Sequence, residues 1–277
     1  MQNSVDLQPS GKYPRLAAVD SNISVAVQSS CGDCYQHSRC LACQLDNMEL
    51  MQFNRDVKKP RRVNSGSHLF RMSDPFKSIF TVLSGCIKVY RLDTEGQEQI
   101  VGFRMPGDLV GIDAIGTAAY STSAVTLEPS FLCEIPYAKF KQSSLEHPAL
   151  QHELVVQLSK VVRAERMHGL NLAGTGAEYR LARFLIDTAT QLSVCHSGPH
   201  SFTLSMSRGD IANYLGLAME TVSRTFTQFR DKGLISVRRK YISIPDIGLL
   251  ENILTKEFSM PEGHGASVFQ HTIAANC

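Results

Sequence analysis

Four cysteines crowd into the segment CGDCYQHSRCLAC, at positions 31, 34, 40 and 43 of a 277-residue chain. Thiols at that density in a polar, loop-like stretch act together as soft ligands, for zinc or for an iron-sulfur cluster. Disulfides are the wrong expectation. The N-terminus MQNSVDLQPSGKYP has no basic start followed by an apolar run, so no secretion signal directs the chain to an oxidising compartment. A structural zinc site usually pairs two C-x2-C knuckles roughly a dozen or more residues apart, whereas these two are separated by only five. The spacing therefore leans toward a cluster and leaves zinc open. Cys133, in FLCEI, is a further candidate ligand, although it alternates with Phe131 and Ile135 and reads equally as a core cysteine on a strand's apolar face. Cys86 begins a strand and reads as structural, and Cys195 and Cys277 have no evident partner.

A second constellation lies near the C-terminus, in SRGDIANYLGLAMETVSRTFTQFRDKGLISVRRKYISI. Ser207 can cap a helix with Asp210 at its third position, Gly216-Leu217 supplies a sharp turn, and a second helix runs from about Ala218 to Asp231, stopped by Gly233. Two strands, LISV and YISI, then close a wing around Arg238, Arg239 and Lys240. Such a helix-turn-helix offers the leading face of its second helix to a DNA major groove. On that face Glu220 can accept from cytosine, Arg224 can fork onto guanine, and Ser223 can take either role. Residues 207–246 hold seven basic residues, Arg208 and Arg239 among them, against four acidic ones, which suits phosphate contacts. An exposed Glu/Arg pair four residues apart is often mere helix support; here the motif around it favours base reading.

These groups need a scaffold. Runs such as SIFTVL, CIKVYRL, QIVGF, SAVTL and FLCEI, punctuated by SGC, DTEGQ, MPGD and LEPS, predict a small antiparallel β-roll. KKPRR at 58–62 reads as a solvated strand or loop, because its proline interrupts any helix. After Pro148 a long helix runs toward Leu172, with Leu154, Leu158, Val161 and Leu172 on a heptad seam that also carries Glu165 and His168. That narrow stripe predicts pairing with a second copy of the helix, against the alternative that it lies on its own domain's core. AEYRLARFLIDTATQL, from Ala177, is a further amphipathic helix. The fold class is therefore α+β: an N-terminal antiparallel β-roll, a long dimerisation helix and a C-terminal winged helix-turn-helix. The divisions are 1–30 as a flexible leader, 31–147 as cysteine loop and roll, 148–176 as the long helix, 177–248 as the winged domain and 249–277 as a tail. With 43% hydrophobic residues, a net charge of +2 and no run of about 18 apolar residues, the chain reads as a globular cytoplasmic protein that makes no membrane contact.

In these motifs the chain closely resembles the oxygen-responsive fumarate and nitrate reductase regulators of the cyclic-AMP receptor protein superfamily. The resemblance runs from about Cys31 to Ile244 and rests on C-x2-C-x5-C, SGCIKVY, GQEQIVGF, GDLVGIDAIG, FLCEIP, RGDIANYLGL and ETVSR, each in family order. It implies a 4Fe-4S cluster held by Cys31, Cys34, Cys40 and Cys133, a TTGAT-type half-site read through Glu220, Ser223 and Arg224, a homodimer on double-stranded DNA, and RNA polymerase as a partner. It also implies a dimer switch on the long helix at Leu158, Val162 and Glu165, the last matching an acidic residue of the family. Two departures stand out. Cys43 is an extra thiol, so Cys34, Cys40, Cys43 and Cys133 form an alternative ligand set, and Tyr35 and Arg39 sit where the family often carries small or apolar residues. A cyclic-nucleotide pocket would need an arginine for the phosphate after GDLVGIDAIG; the chain offers Thr117, Ser121, Thr122 and Ser123 instead. No arrangement of nucleophile, base and pocket suggests an enzyme.

Overall fold

The computed structural model describes residues 30–34, 36–174, 176–192 and 200–256. The expected leader, Tyr35, Cys195, Cys277 and the tail beyond 256 lie outside the described residues. In chain order the elements are α1 (Asn47–Asp56), β1 (Lys58–Val63), β2 (His68–Phe70), β3 (Ser78–Ser84), β4 (Ile87–Leu92), β5 (Glu98–Arg104), β6 (Leu109–Val110), β7 (Ser123–Thr126), β8 (Ser130–Pro136), α2 (Tyr137–Glu146) and α3 (Pro148–Gly174). They are followed by α4 (Ala177–Leu192), β9 (His200–Thr203), α5 (Arg208–Leu215), α6 (Met219–Asp231), β10 (Ser236–Arg238), β11 (Tyr241–Ile244) and α7 (Ile247–Lys256).

Two four-stranded antiparallel sheets, ordered β1-β8-β3-β6 and β2-β7-β4-β5, face one another as the expected roll. Burial on both faces explains why β3 is buried along nearly its whole length. Its Phe80 and Val82 point into the roll, beside Leu132, Ile87 and Val89. Ile79 points the other way, into a second core with Ile135, α1 and α3, so β3 is buried on both faces. The turn between β3 and β4 requires glycine: Gly85 has a φ of 91°, and a Cβ there would collide with the side chain of Ser130. KKPRR forms the exposed edge strand β1, as its composition predicts.

The second core explains two helices that periodicity does not reveal. α1 starts with a capping box, Asp46 accepting from the amides of Met48 and Glu49 while Glu49 accepts from the Asp46 amide, and it buries Leu50 and Phe53. α2 follows β8 directly and buries Phe140. The seam on α3 borders this core. Leu154, Leu158 and Val161 are half-buried along one edge of this core, while Val155 and Val162 are 59% and 55% exposed. A heptad count registers which residues share a face and is silent about what covers it.

The C-terminal half packs α4, α5, α6 and α7 with a three-stranded sheet ordered β10-β11-β9. The boundary expected at 248 falls inside α7, whose Leu250 is fully buried beside α4. The same core takes in Tyr90, Ile100, Phe103 and Met105 from the roll, so roll and winged domain share apolar surface.

Candidate sulfur pocket and nucleic-acid interface

The cysteine loop is a chain of tight turns. Amides of Cys34, His37, Cys40 and Cys43 donate to the carbonyls of Cys31, Cys34, His37 and Cys40 at 3.3, 2.9, 3.1 and 3.1 Å, and His37–Arg39 closes a 3-10 turn. The loop is anchored where Asn54 of α1 accepts from the Cys31 amide at 3.2 Å, and where Leu41 and Ala42 plunge into the core below. Cys133 arrives from β8, directly across from Thr81 of β3.

Cys31, Cys34, Cys40 and Cys133 line one pocket, with His37, Thr81, Phe53 and Ile135; Cys43 is not in its wall. Burial, reinforced by Cys40 and Cys34, pushes the Cys31 thiol up to about 12; burial pushes Cys34 and Cys40 up as well. Cys133 is raised by burial and then by Cys40, Cys34 and Cys31. Ionisation of all four thiols is therefore disfavoured, and a cationic group among them opposes that balance. Cys43 is pushed to about 11 by burial and by Glu153. Two polar atoms at the pocket have no hydrogen-bond partner, Thr81 Oγ1 and His37 Nδ1. The pocket measures about 20 Å³, less than one water's share of liquid, so a larger guest requires the loop to move outward. Among the described residues no three His, Cys, Asp or Glu side chains converge closely enough to hold a single metal ion. The donor set nevertheless fits an iron-sulfur group: four thiols and no carboxylate in the wall. Cys86, 3% exposed, is a core residue, as its position suggests.

Tyr120 stacks on Phe70 at 3.7 Å and donates to the Ser78 carbonyl at 2.6 Å. Asp113 accepts from Ser121 at 2.6 Å and Thr122 at 3.2 Å.

In the helix-turn-helix, Ser207 and Asp210 form the expected capping box and Gly216 ends α5 in the left-handed conformation with a φ of 61°. α6 buries Val222, Phe226 and Phe229 against α5 and the core and leaves Glu220, Ser223 and Arg224 exposed together on its outer face. Arg239, at a φ of 58°, forms the exposed turn of the wing with Lys240. Arg208 is half-buried against α6. Its guanidinium lies 3.2 Å over the Phe226 ring, its Nη1 is buried without a partner, and burial lowers its pKa to about 10. As the first residue of α5 it packs on the helix behind it, an environment that motif position cannot foretell.

Glu165 of α3 lies 3.6 Å from Arg104 of β5, and His168 stacks on Tyr214 of α5 with ring centroids 4.1 Å apart. Several linking residues escaped sequence reasoning. Asn213 accepts from the Ile100 amide and donates to the Glu98 carbonyl, and Arg180 donates to the carbonyls of Leu172 and Leu215, both at 3.0 Å. Lys88 of β4 bridges Glu98 and Asp210. Arg39, an unusual neighbour for Cys40, reaches the Gln191 carbonyl of α4 at 3.4 Å. Only the S-x-x-D capping signal around Asp210 was legible in advance.

A roll followed by a long helix and a winged helix-turn-helix defines a Crp-like transcription regulator, and the chain matches two family descriptions in that order: a cyclic nucleotide-binding domain over 60–147 and a Crp-like helix-turn-helix domain over 179–253. It is 38% identical over 219 residues to the transcriptional activator protein anr of Pseudomonas aeruginosa, covering 79% of this chain and 90% of the relative. It is 36% identical over 214 residues to the fumarate and nitrate reduction regulatory protein of Escherichia coli K12, covering 77% and 86%. The structure of FixK2 from Bradyrhizobium japonicum shares the fold, with a TM-score of 0.64 at 24% identity over 70% of this chain and 96% of that one. The chain belongs to the fumarate and nitrate reduction regulator (FNR/Anr) family: it is a transcription regulator with a DNA-binding helix-turn-helix, and not an enzyme. No helix among the described residues is long and apolar enough to cross a membrane.

Proposed function

We propose that this regulator responds to oxygen through a 4Fe-4S cluster held by Cys31, Cys34, Cys40 and Cys133, and that as a homodimer under low oxygen it binds palindromic TTGAT-type sites and engages RNA polymerase in the cytoplasm. The observation that carries this reading is the pocket in which three loop cysteines meet the one strand cysteine from β8. Bound there, the cluster supplies an oxygen-labile centre. The rest belongs to the chain. Leu41, one residue beyond Cys40, is fully buried in the core that also receives Leu154, Leu158 and Val161 of α3, so restraint of the loop is transmitted to the long helix. Val155 and Val162, seven residues apart and exposed, are the apolar line left for a second copy. Two recognition helices then present Glu220, Ser223 and Arg224 to half-sites about one DNA turn apart, with Arg239 on the flanking phosphates.

Anaerobic absorption spectra with iron and zinc analysis test the reading. Thiolate-to-iron absorption with about four irons per chain is expected. Serine at position 31, 34, 40 or 133 abolishes it and Cys43→Ser retains it, because a hydroxyl is a far poorer ligand than a thiolate. One zinc per chain and no such absorption overturns the proposal in favour of a zinc-held regulator, and loss at Cys43 with retention at Cys31 overturns the ligand set.

A further inference from the structure

Thr81 lies in the middle of β3 with none of its surface exposed, yet its hydroxyl has no hydrogen-bond partner. Threonine there is costly: an unsatisfied buried hydroxyl destabilises the folded chain, and valine would fill the same space without the penalty. Its strand neighbours Ile79 on the same face and Phe80 and Val82 on the other are all apolar. Thr81 lies in the wall shared by Cys40 and Cys133, opposite Cys133 in the β3–β8 register. No other residue of the roll combines complete burial, a free donor and two of the candidate ligands.

We infer that Thr81 is a positioning residue for the sulfur site: its hydroxyl donates a hydrogen bond to sulfur in the ligated state and makes the bound cluster harder to oxidise. The inference rests on the cluster reading above. Hydrogen bonds to sulfur withdraw electron density, which raises the reduction potential and slows attack by oxygen. The register supports this role over a purely structural one, because a threonine serving the strand alone would bond to backbone or side chain, as Thr126 does to the Asn64 carbonyl at 2.6 Å.

The test compares full-length wild type, Thr81→Val and Thr81→Ser, reconstituted anaerobically with iron and sulfide. Wild type and Thr81→Ser show iron-sulfur Raman bands that shift in D2O, and Thr81→Val loses part of that shift. In air the Thr81→Val absorbance decays roughly two- to ten-fold faster, the rate equivalent of one net hydrogen bond. In the cluster-free protein the order reverses, Thr81→Val having the higher urea midpoint because it removes an orphaned hydroxyl. Should Thr81→Val take up no cluster while Thr81→Ser does, the hydroxyl is again supported; loss in both makes the requirement one of shape and overturns the inference. Equal decay rates with an unchanged D2O shift, or a lower urea midpoint for cluster-free Thr81→Val, also overturn it. A wild type that takes up no cluster overturns the oxygen-sensing proposal itself, whereas equal behaviour of three cluster-bearing proteins removes only the role of Thr81.

Discussion

Asp210 makes a charged contact between winged domain and roll, and Asp210→Asn is the perturbation that isolates it. Its Oδ2 accepts from the Ser207 amide at 3.0 Å and the Ser207 hydroxyl at 2.6 Å, while Oδ1 lies 3.3 Å from Lys88 Nζ. Lys88 and Asp210 side chains are only 12% and 19% exposed, so this is a partly desolvated pair rather than a surface one. At 3.3 Å and an effective dielectric of about 20 the attraction is roughly 5 kcal/mol before desolvation is subtracted. Asparagine keeps the cap but loses the charge, and Lys88 keeps Glu98 at 2.7 Å, so the expected net loss is about 2 kcal/mol, the usual worth of a charge-assisted hydrogen bond. Urea denaturation of Asp210→Asn, Lys88→Met and the double variant measures it, with an expected coupling of about 1 to 2 kcal/mol. Burial pushes the Asp210 carboxyl up, but the Ser207 hydrogen bonds and the Lys88 charge outweigh it and leave the group below its usual range. Its contribution is thus present above the ordinary aspartate pKa of about 4 and lost as pH falls through the lowered folded value. The gap between wild type and Asp210→Asn is therefore constant at neutral pH and closes in acid below about pH 4. Additive single variants, or a gap undiminished in acid, refute the argument.

The remaining expectations concern DNA and the dimer. Arg224→Ala weakens a TTGAT-type duplex by about 1 to 3 kcal/mol and relaxes preference at one guanine, while Arg239→Ala weakens all duplexes alike and flattens the salt dependence; titrations of cognate and scrambled duplexes at several salt concentrations check this, and equal losses on both duplexes for Arg224→Ala count against base reading. Glu165→Leu removes a carboxylate that would face its own copy in a parallel dimer, a repulsion of roughly 1 to 3 kcal/mol, and also frees Arg104. The variant is expected to sediment as a dimer and bind its site in air, and a monomer-dimer equilibrium matching the cluster-free wild type disproves it.

Local chemistry carried most of the fold to the surface of the sequence. The cap formed by Ser207 and Asp210, the left-handed stop at Gly216 and the turn glycine at 85 each depend on residues close in the chain, so the winged motif and the antiparallel roll were legible, though not its strand order. α1 carried a readable D-x-x-E capping signal and α2 only a weak apolar pattern, and neither was recognised from periodicity. What the sequence could not decide was which partner each face meets. The α3 stripe reads as a seam, and only the tertiary structure shows that α1 and the cysteine loop complete a core along one edge of it, half-burying Leu158 and Val161. Arg208 held a motif position suited to phosphate and was drawn onto Phe226 by helix packing. Cys133 was a candidate ligand that periodicity alone read equally as a core residue, and Thr81 was unremarked within its strand, since a period of two tells which side they face and nothing about the loop, some hundred and some fifty residues earlier in the chain respectively, that folds over them. Proximity across such separations is set by the joint packing of sheet, helices and loop, a property of the tertiary structure alone.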